Sequence, residues 1–287
     1  MTAVTLLVLP GFALFLIFLI IPVVQAAFYS LYKWNGLGAL TDFVGIDNFV
    51  RLLNHKIFIG ALQHTLIIVT LSLLVQLPVA LGLALLVGRG NLRGKKLFRM
   101  IFFVPFVFSD PITAIIWRYV YHKDGLINTV ASSLLPGFHS QTWLGLPDMA
   151  LFAIFIVLTW KYFGLHMILY MAALQGVPKE LEDAARIDGA TEINVLRHVT
   201  IPLIGSTIRL TVYLSVLGSL QQFLLVWVLT EGGPVNATET IATYMYKFGF
   251  QRFALGYGSA VAVVLLCMTL IFSLGYQRAV MRQDFAE

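Results

Sequence analysis

Residues 177–192 read VPKELEDAARIDGATE, a polar island between two long apolar stretches near 149–174 and 204–230. Five of the 14 acidic residues of the chain fall inside it: Glu180, Glu182, Asp183, Asp188 and Glu192. Elsewhere charge is scarce. The chain is 59% hydrophobic and 11% charged, against roughly 45–50% and about 25% in soluble domains, so it reads as a membrane protein. Its 287 residues are taken up by spans and their connectors, with no separate soluble domain.

A membrane-crossing helix needs about 20 mostly apolar residues. Six stretches meet that need, near 4–31, 63–87, 100–119, 149–174, 204–230 and 259–277. They predict an all-α polytopic protein forming one transmembrane domain over 1–287, with a cytoplasmic loop at 177–202. The first stretch lacks the basic start of a signal peptide, and its apolar core is too long for one. Orientation follows from the loop GRGNLRGKKLFR at 88–99, which carries Arg89, Arg93, Lys95, Lys96 and Arg99 and no acid. Short basic loops stay in the cytoplasm. Alternation then puts the polar island and both termini inside, consistent with Arg278 and Arg282 after the last span.

The same loop does not bind nucleotide. A phosphate-binding loop needs four residues between its glycines and a Ser or Thr after the lysine. Here Gly90 and Gly94 are separated by three residues, and Lys95 is followed by Lys96. No cofactor is expected on this chain, and ATP with its magnesium belongs to another polypeptide if transport uses it. The single cysteine, Cys267, lies in an apolar stretch, so neither a disulfide framework nor a thiolate metal site can form within the chain. There is no HExxH motif, and His64, His166 and His198 are too scattered to predict a metal site.

Within the island, Pro178 suits a first helical position, and Glu180, Glu182 and Asp183 follow where the helix dipole favours negative charge. Leu181, Ala184, Ala185 and Asp188 recur at spacings of three and four, which predicts one helix face turned inward. Gly189 can take the left-handed conformation that ends a helix, and Thr191 can cap a second one. The prediction is a short helix, a glycine turn and another short helix. On these residues alone a solvated connector and a docking knob are equally good readings.

The run DAARIDGA at 183–190, followed by IPL at 201–203, resembles the EAA loop of ABC-importer permeases. Asp183 stands where that pattern has Glu, which keeps the charge but shortens the side chain by one methylene. Further resemblance to sugar permeases of the maltose and glycerol-phosphate type lies in GIDNFVRLL (45–53), ALQHT (61–65), LRGKKLFR (92–99), IIWRYVY (115–121) and GLIN (125–128). TEGGPVNATET (230–240) and GYGSA (256–260) resemble the outer loop of the first permease of an unlike pair. The resemblance implies a type I importer transmembrane domain. Glu182, Asp183, Ala184, Ala185, Arg186, Asp188 and Gly189 would form the coupling helix that docks on an ATPase subunit. It further implies a second permease, two ATP-binding cassette subunits, an extracytoplasmic solute-binding protein and a sugar or sugar-like solute, in a bacterial plasma membrane.

Polar side chains inside spans face the bundle interior or a cavity. Ser215, Ser219 and Gln222 recur at four and three residues, one helix face, and suit either a sugar path or contacts between helices. In the resembling permeases this span contributes to the path. Trp160 and Tyr162 are candidates for stacking on a sugar ring or for packing. Asp110 and Lys161 fall at similar depth, about 15 and about 20 Å from the cytoplasmic ends of their spans at 1.5 Å per residue. A charge pair between them, or with the partner permease, is expected. A secondary transporter driven by an ion gradient is the competing class; it usually carries internal repeats, and none is visible.

Overall fold

The computed structural model describes residues 2–89 and 94–281. Gly90, Arg93 and Arg282, and the side chain of Arg89, lie outside the described residues, so the charges that argued for orientation are only partly in view. The described chain is helical apart from connectors and one isolated antiparallel bridge between Tyr32 and Phe43. In chain order the helices are α1 (Val8–Tyr29), α2 (Asp47–Leu53), α3 (Lys56–Gly88), α4 (Lys95–Val107), α5 (Asp110–Val120), α6 (Leu126–Leu134) and α7 (Pro147–Gln175). After these come α8 (Lys179–Ile187), α9 (Glu192–Leu203), α10 (Gly205–Leu220), α11 (Leu224–Thr230), α12 (Ile241–Tyr246) and α13 (Leu255–Met281).

Four of these, α1, α3, α7 and α13, are long and apolar enough to cross a membrane as single helices. Two of the expected spans differ from the sequence reading. The stretch near 100–119 is a bent pair, α4 and α5, meeting at 103°. Pro111 explains the break, because it has no N–H for the carbonyl of Val107 four residues earlier and its ring crowds that carbonyl. Phe108 and Ser109 are accordingly extended, and Pro111 falls in the first turn of α5 with the Asp110 carboxylate beside the positive end of its dipole. The stretch near 204–230 also fails to run through. Helix α10 stops at Leu220, residues 221–223 leave helical geometry, and α11 is a separate short helix packed on α5. At its other end α10 meets α9 at 69° across Ile204.

Helix α7 organises the bundle. Apolar residues cover it all round, and it packs against α3, α4, α5 and α10 while Phe152 and Ile156 stay exposed. On its C-terminal half Met167, Tyr170, Met171 and Leu174 meet Ala80, Ala84 and Ile204. Ala80 and Ala84 are fully buried and Gly88 lies under Leu174, so small residues every four positions let α3 approach closely. On its N-terminal half Ile154, Val157 and Leu158 pack with Ala114, Leu225 and Val226. A separate core joins Leu52 and Phe58 to Tyr244, Phe248 and Tyr257.

Gly164 marks the tightest crossing of α7. A Cβ there would lie 2.0 Å from the carbonyl oxygen of Phe102 on α4. Since a backbone atom cannot swing aside, Gly164→Ala must push α4 away. Overpacking of this kind costs about 1–3 kcal/mol, and a lowered melting temperature of the purified protein in detergent is the expected result.

Candidate solute path and coupling surface

A cavity of about 250 Å³ opens between α3, α4, α7 and α10. Helix α3 reaches it through a π-helical turn, Ser72–Gln76, closed by the Leu77 N–H donating to the Ser72 carbonyl. Such a turn inserts one extra residue into the helix, a feature frequent at functional sites. The two polar residues at its ends, Ser72 and Gln76, both line the cavity. From α10 come Ser215, Ser219 and, just past the helix end, Gln222. Ser219 Oγ donates to Ser72 Oγ at 3.1 Å, and the Gln222 carbonyl accepts from Thr240 Oγ1 at 3.0 Å. Helix α7 adds Tyr162 and His166, and Phe106 comes from α4. Ser215 Oγ and His166 Nδ1 are buried and lack any hydrogen-bond partner, a costly condition in a dry interior.

The expected stripe of Ser215, Ser219 and Gln222 therefore faces a cavity, and Tyr162 joins it. Trp160 does not. Its ring packs edge-on against Trp117 at 5.5 Å, beside the core around Ile154 and Val157. One residue separates it from Tyr162, enough on a helix to turn it to another face. Ser72, Gln76 and His166 were not among the expected residues. The four-residue spacing of Ser72 and Gln76 inside an apolar span was the signal that pointed to them.

Beside the cavity, Lys161 Nζ lies 3.0 Å from Asp110 Oδ1, and Tyr162 donates its hydroxyl to the same oxygen at 3.0 Å. Lys161 also donates to the Phe108 carbonyl, which the break leaves without a helical partner. One ammonium thus ties together both sides of the α4–α5 fracture. A second ion pair, absent from the sequence expectations, joins Lys247 to the fully buried Glu239 at 2.5 Å and anchors the segment at 230–240. Among the described residues no cluster of side chains is arranged to hold a metal ion.

On the other side of the bundle, α8, Gly189 and α9 form the compact knob the polar island predicts. Pro178 is extended and precedes the helix instead of opening it. Gly189 has φ +87°, its N–H donates to the Arg186 carbonyl, and the Ala190 N–H reaches back to Ala185 at 3.0 Å. Thr191 caps α9 through the Asn194 N–H. The inward face differs from expectation. Leu181, Ala184 and Asp188 are exposed and Ala185 is only half-buried, whereas Glu182 is buried and accepts from Thr200 Oγ1 at 3.0 Å. Arg186 makes the knob rigid. Its guanidinium reaches Glu192 at 2.7 Å, Asp183 at 2.8 Å and Glu182 at 3.8 Å. The hydrogen bond it donates to Glu192, aided by Asp183, holds the pKa of that guanidinium above its usual range. The outward surface left over carries Leu181, Ile187 and Ile193, with Ile187 86% exposed.

The knob joins α7 to α10, by way of α9, and those are two of the helices that line the cavity. The sequence profile of one family, the binding-protein-dependent transport system inner membrane component, matches residues 80–283. The chain belongs to this permease family. It is 34% identical to the diacetylchitobiose uptake system permease protein of Streptomyces coelicolor over 91% of this chain and 77% of that one. Identity is 33% to the lactose transport system permease protein of Rhizobium radiobacter, covering 93% and 90%. With the trehalose/maltose transport system permease protein of Thermococcus litoralis it is 31%, covering 94% and 91%. Among solved structures, a chain of a bacterial ABC transporter involved in the import of the acidic polysaccharide alginate superposes with a TM-score of 0.83 at 26% identity, covering 97% and 96%. The permease is thus a multi-pass inner membrane protein with the importer transmembrane fold.

Proposed function

We propose that this permease is the first of two unlike membrane subunits of an ATP-driven importer for sugars or sugar-like solutes. The observation that carries this reading is the knob, a rigid charged body with an apolar tip, inserted between two helices that line a cavity with hydroxyl, amide and imidazole groups. Two ATPase subunits, which hold ATP and magnesium, bind the knob of this chain and that of its partner from the cytoplasm, where both termini also lie. An extracytoplasmic binding protein delivers the solute to the outer loops. The saccharide names of the relatives support the substrate class. Closure of the ATPases displaces the knob, and the differential contact there shifts the cavity between outward and inward states. The chain itself catalyses nothing.

Gln222→Leu is expected to lower saccharide uptake by the assembled transporter about tenfold, the effect of one hydrogen bond to a buried polar group, while the subunits still copurify. Unchanged uptake removes the α10 stripe from the path. Uptake by this chain alone in proteoliposomes under an ion gradient would replace the ATP-driven reading with a secondary transporter.

A further inference from the structure

The thirteen residues lining the cavity include no carboxylate, ammonium or guanidinium. The nearest charges are withheld from it. Lys161 precedes the cavity-lining Tyr162, yet its ammonium is held by Asp110 and by the Phe108 carbonyl, and its side chain is 4% exposed. The Asp110 carboxylate is occupied in turn by Lys161 and by the Tyr162 hydroxyl, which spends its proton there. Among the described residues that line the cavity, a carboxylate or phosphate meets no counter-charge and a cation meets no free acid. What lines the cavity instead is neutral, the amides of Gln76 and Gln222 and the hydroxyl of Ser219. A sugar hydroxyl donates and accepts at once, so it suits amide and hydroxyl alike. Phe106, Leu158 and Leu214 supply apolar wall for the C–H faces of a pyranose ring.

We propose that this half of the path selects uncharged saccharides against uronates and sugar phosphates, and that Asp110 enforces the selection by keeping the Lys161 ammonium out of the cavity. The proposal rests on the reading of the cavity as the solute path. It is independent of the fold, since an importer of similar fold handles an acidic polysaccharide.

The test uses the full complex of both permeases and the ATPase subunits in detergent, with Gly218→Cys in one preparation and Leu214→Cys in another, both cavity-lining positions with open space beside them. Maleimide labelling at the substituted position is followed by peptide mass spectrometry, which separates it from Cys267. The probes are a panel of neutral disaccharides and their uronic acid counterparts. Neutral disaccharides are expected to protect either position, with half-protecting concentrations about fiftyfold lower than those of the uronates, the ratio set by one unpaired charge at membrane depth. Asp110→Asn, added to either background, is expected to narrow that gap by freeing the ammonium. Equal or better protection by uronates overturns the selection while leaving the path in place. A gap unmoved by Asp110→Asn overturns the role given to the ion pair. Absence of protection by any probe at both positions overturns the path reading and the proposal with it.

Discussion

Lys161→Met should lower the stability of the permease by about 3 kcal/mol, the lower end of the cost of breaking a buried ion pair, because Asp110 keeps some exposure. The loss has two sources. The Asp110 carboxylate retains only the Tyr162 hydroxyl, and the Phe108 carbonyl at the end of α4 loses its donor. Asp110→Asn leaves an ammonium that can turn toward the neighbouring cavity, where its burial is eased, so it should cost less. In the double variant the uncompensated charge disappears, and stability should recover part of the way. Thermal unfolding of the four proteins in one detergent measures the coupling directly. A double variant no more stable than the worse single one would mean that the 3.0 Å contact contributes nothing as a pair.

Gly189→Pro should abolish coupled transport. Proline fixes φ near −65°, whereas Gly189 sits at +87°, and the substitution also removes the N–H that donates to Arg186. With strain and lost bond together on the order of 3 kcal/mol, α8 and α9 cannot keep their angle, and Glu192 separates from Arg186. The expected phenotype in proteoliposomes is continued ATP hydrolysis with saccharide uptake reduced at least about tenfold and normal membrane insertion. Gly189→Ala, which keeps the N–H and meets only the left-handed penalty of about 1–2 kcal/mol, should fall between. Normal uptake by the proline variant removes the coupling role from the knob.

Both variants touch features that the sequence displays unequally. The knob was legible because its signals are local: acidic residues near a helix start, a glycine at the turn, a threonine cap. Which face it buries was not, since Glu182 turns inward to accept from Thr200, eighteen residues away. Spans read by hydropathy alone hide fractures. The apolar run 100–119 passes over Ser109, Asp110 and Pro111, although that triplet is the signature of a new helix start, because composition outweighs three residues in a window of about twenty. The cavity lining was half legible for a related reason. Ser215, Ser219 and Gln222 repeat on one face and stand out, whereas His166 is a single polar residue in a long apolar helix, and nothing local says which way it points.

The unbroken course of α7 has a mechanical consequence. The helix runs from Pro147 to Gln175 without a kink, so it moves as a stiff rod. Tyr162 lies about 22 Å from its N-terminal end and Gln175 about 42 Å, at 1.5 Å per residue. A pivot about Pro147 would carry the cavity wall roughly half as far as the end beside the knob. That ratio is a reduction gear: a long stroke applied at the knob reaches the cavity wall as a shorter one with about twice the force.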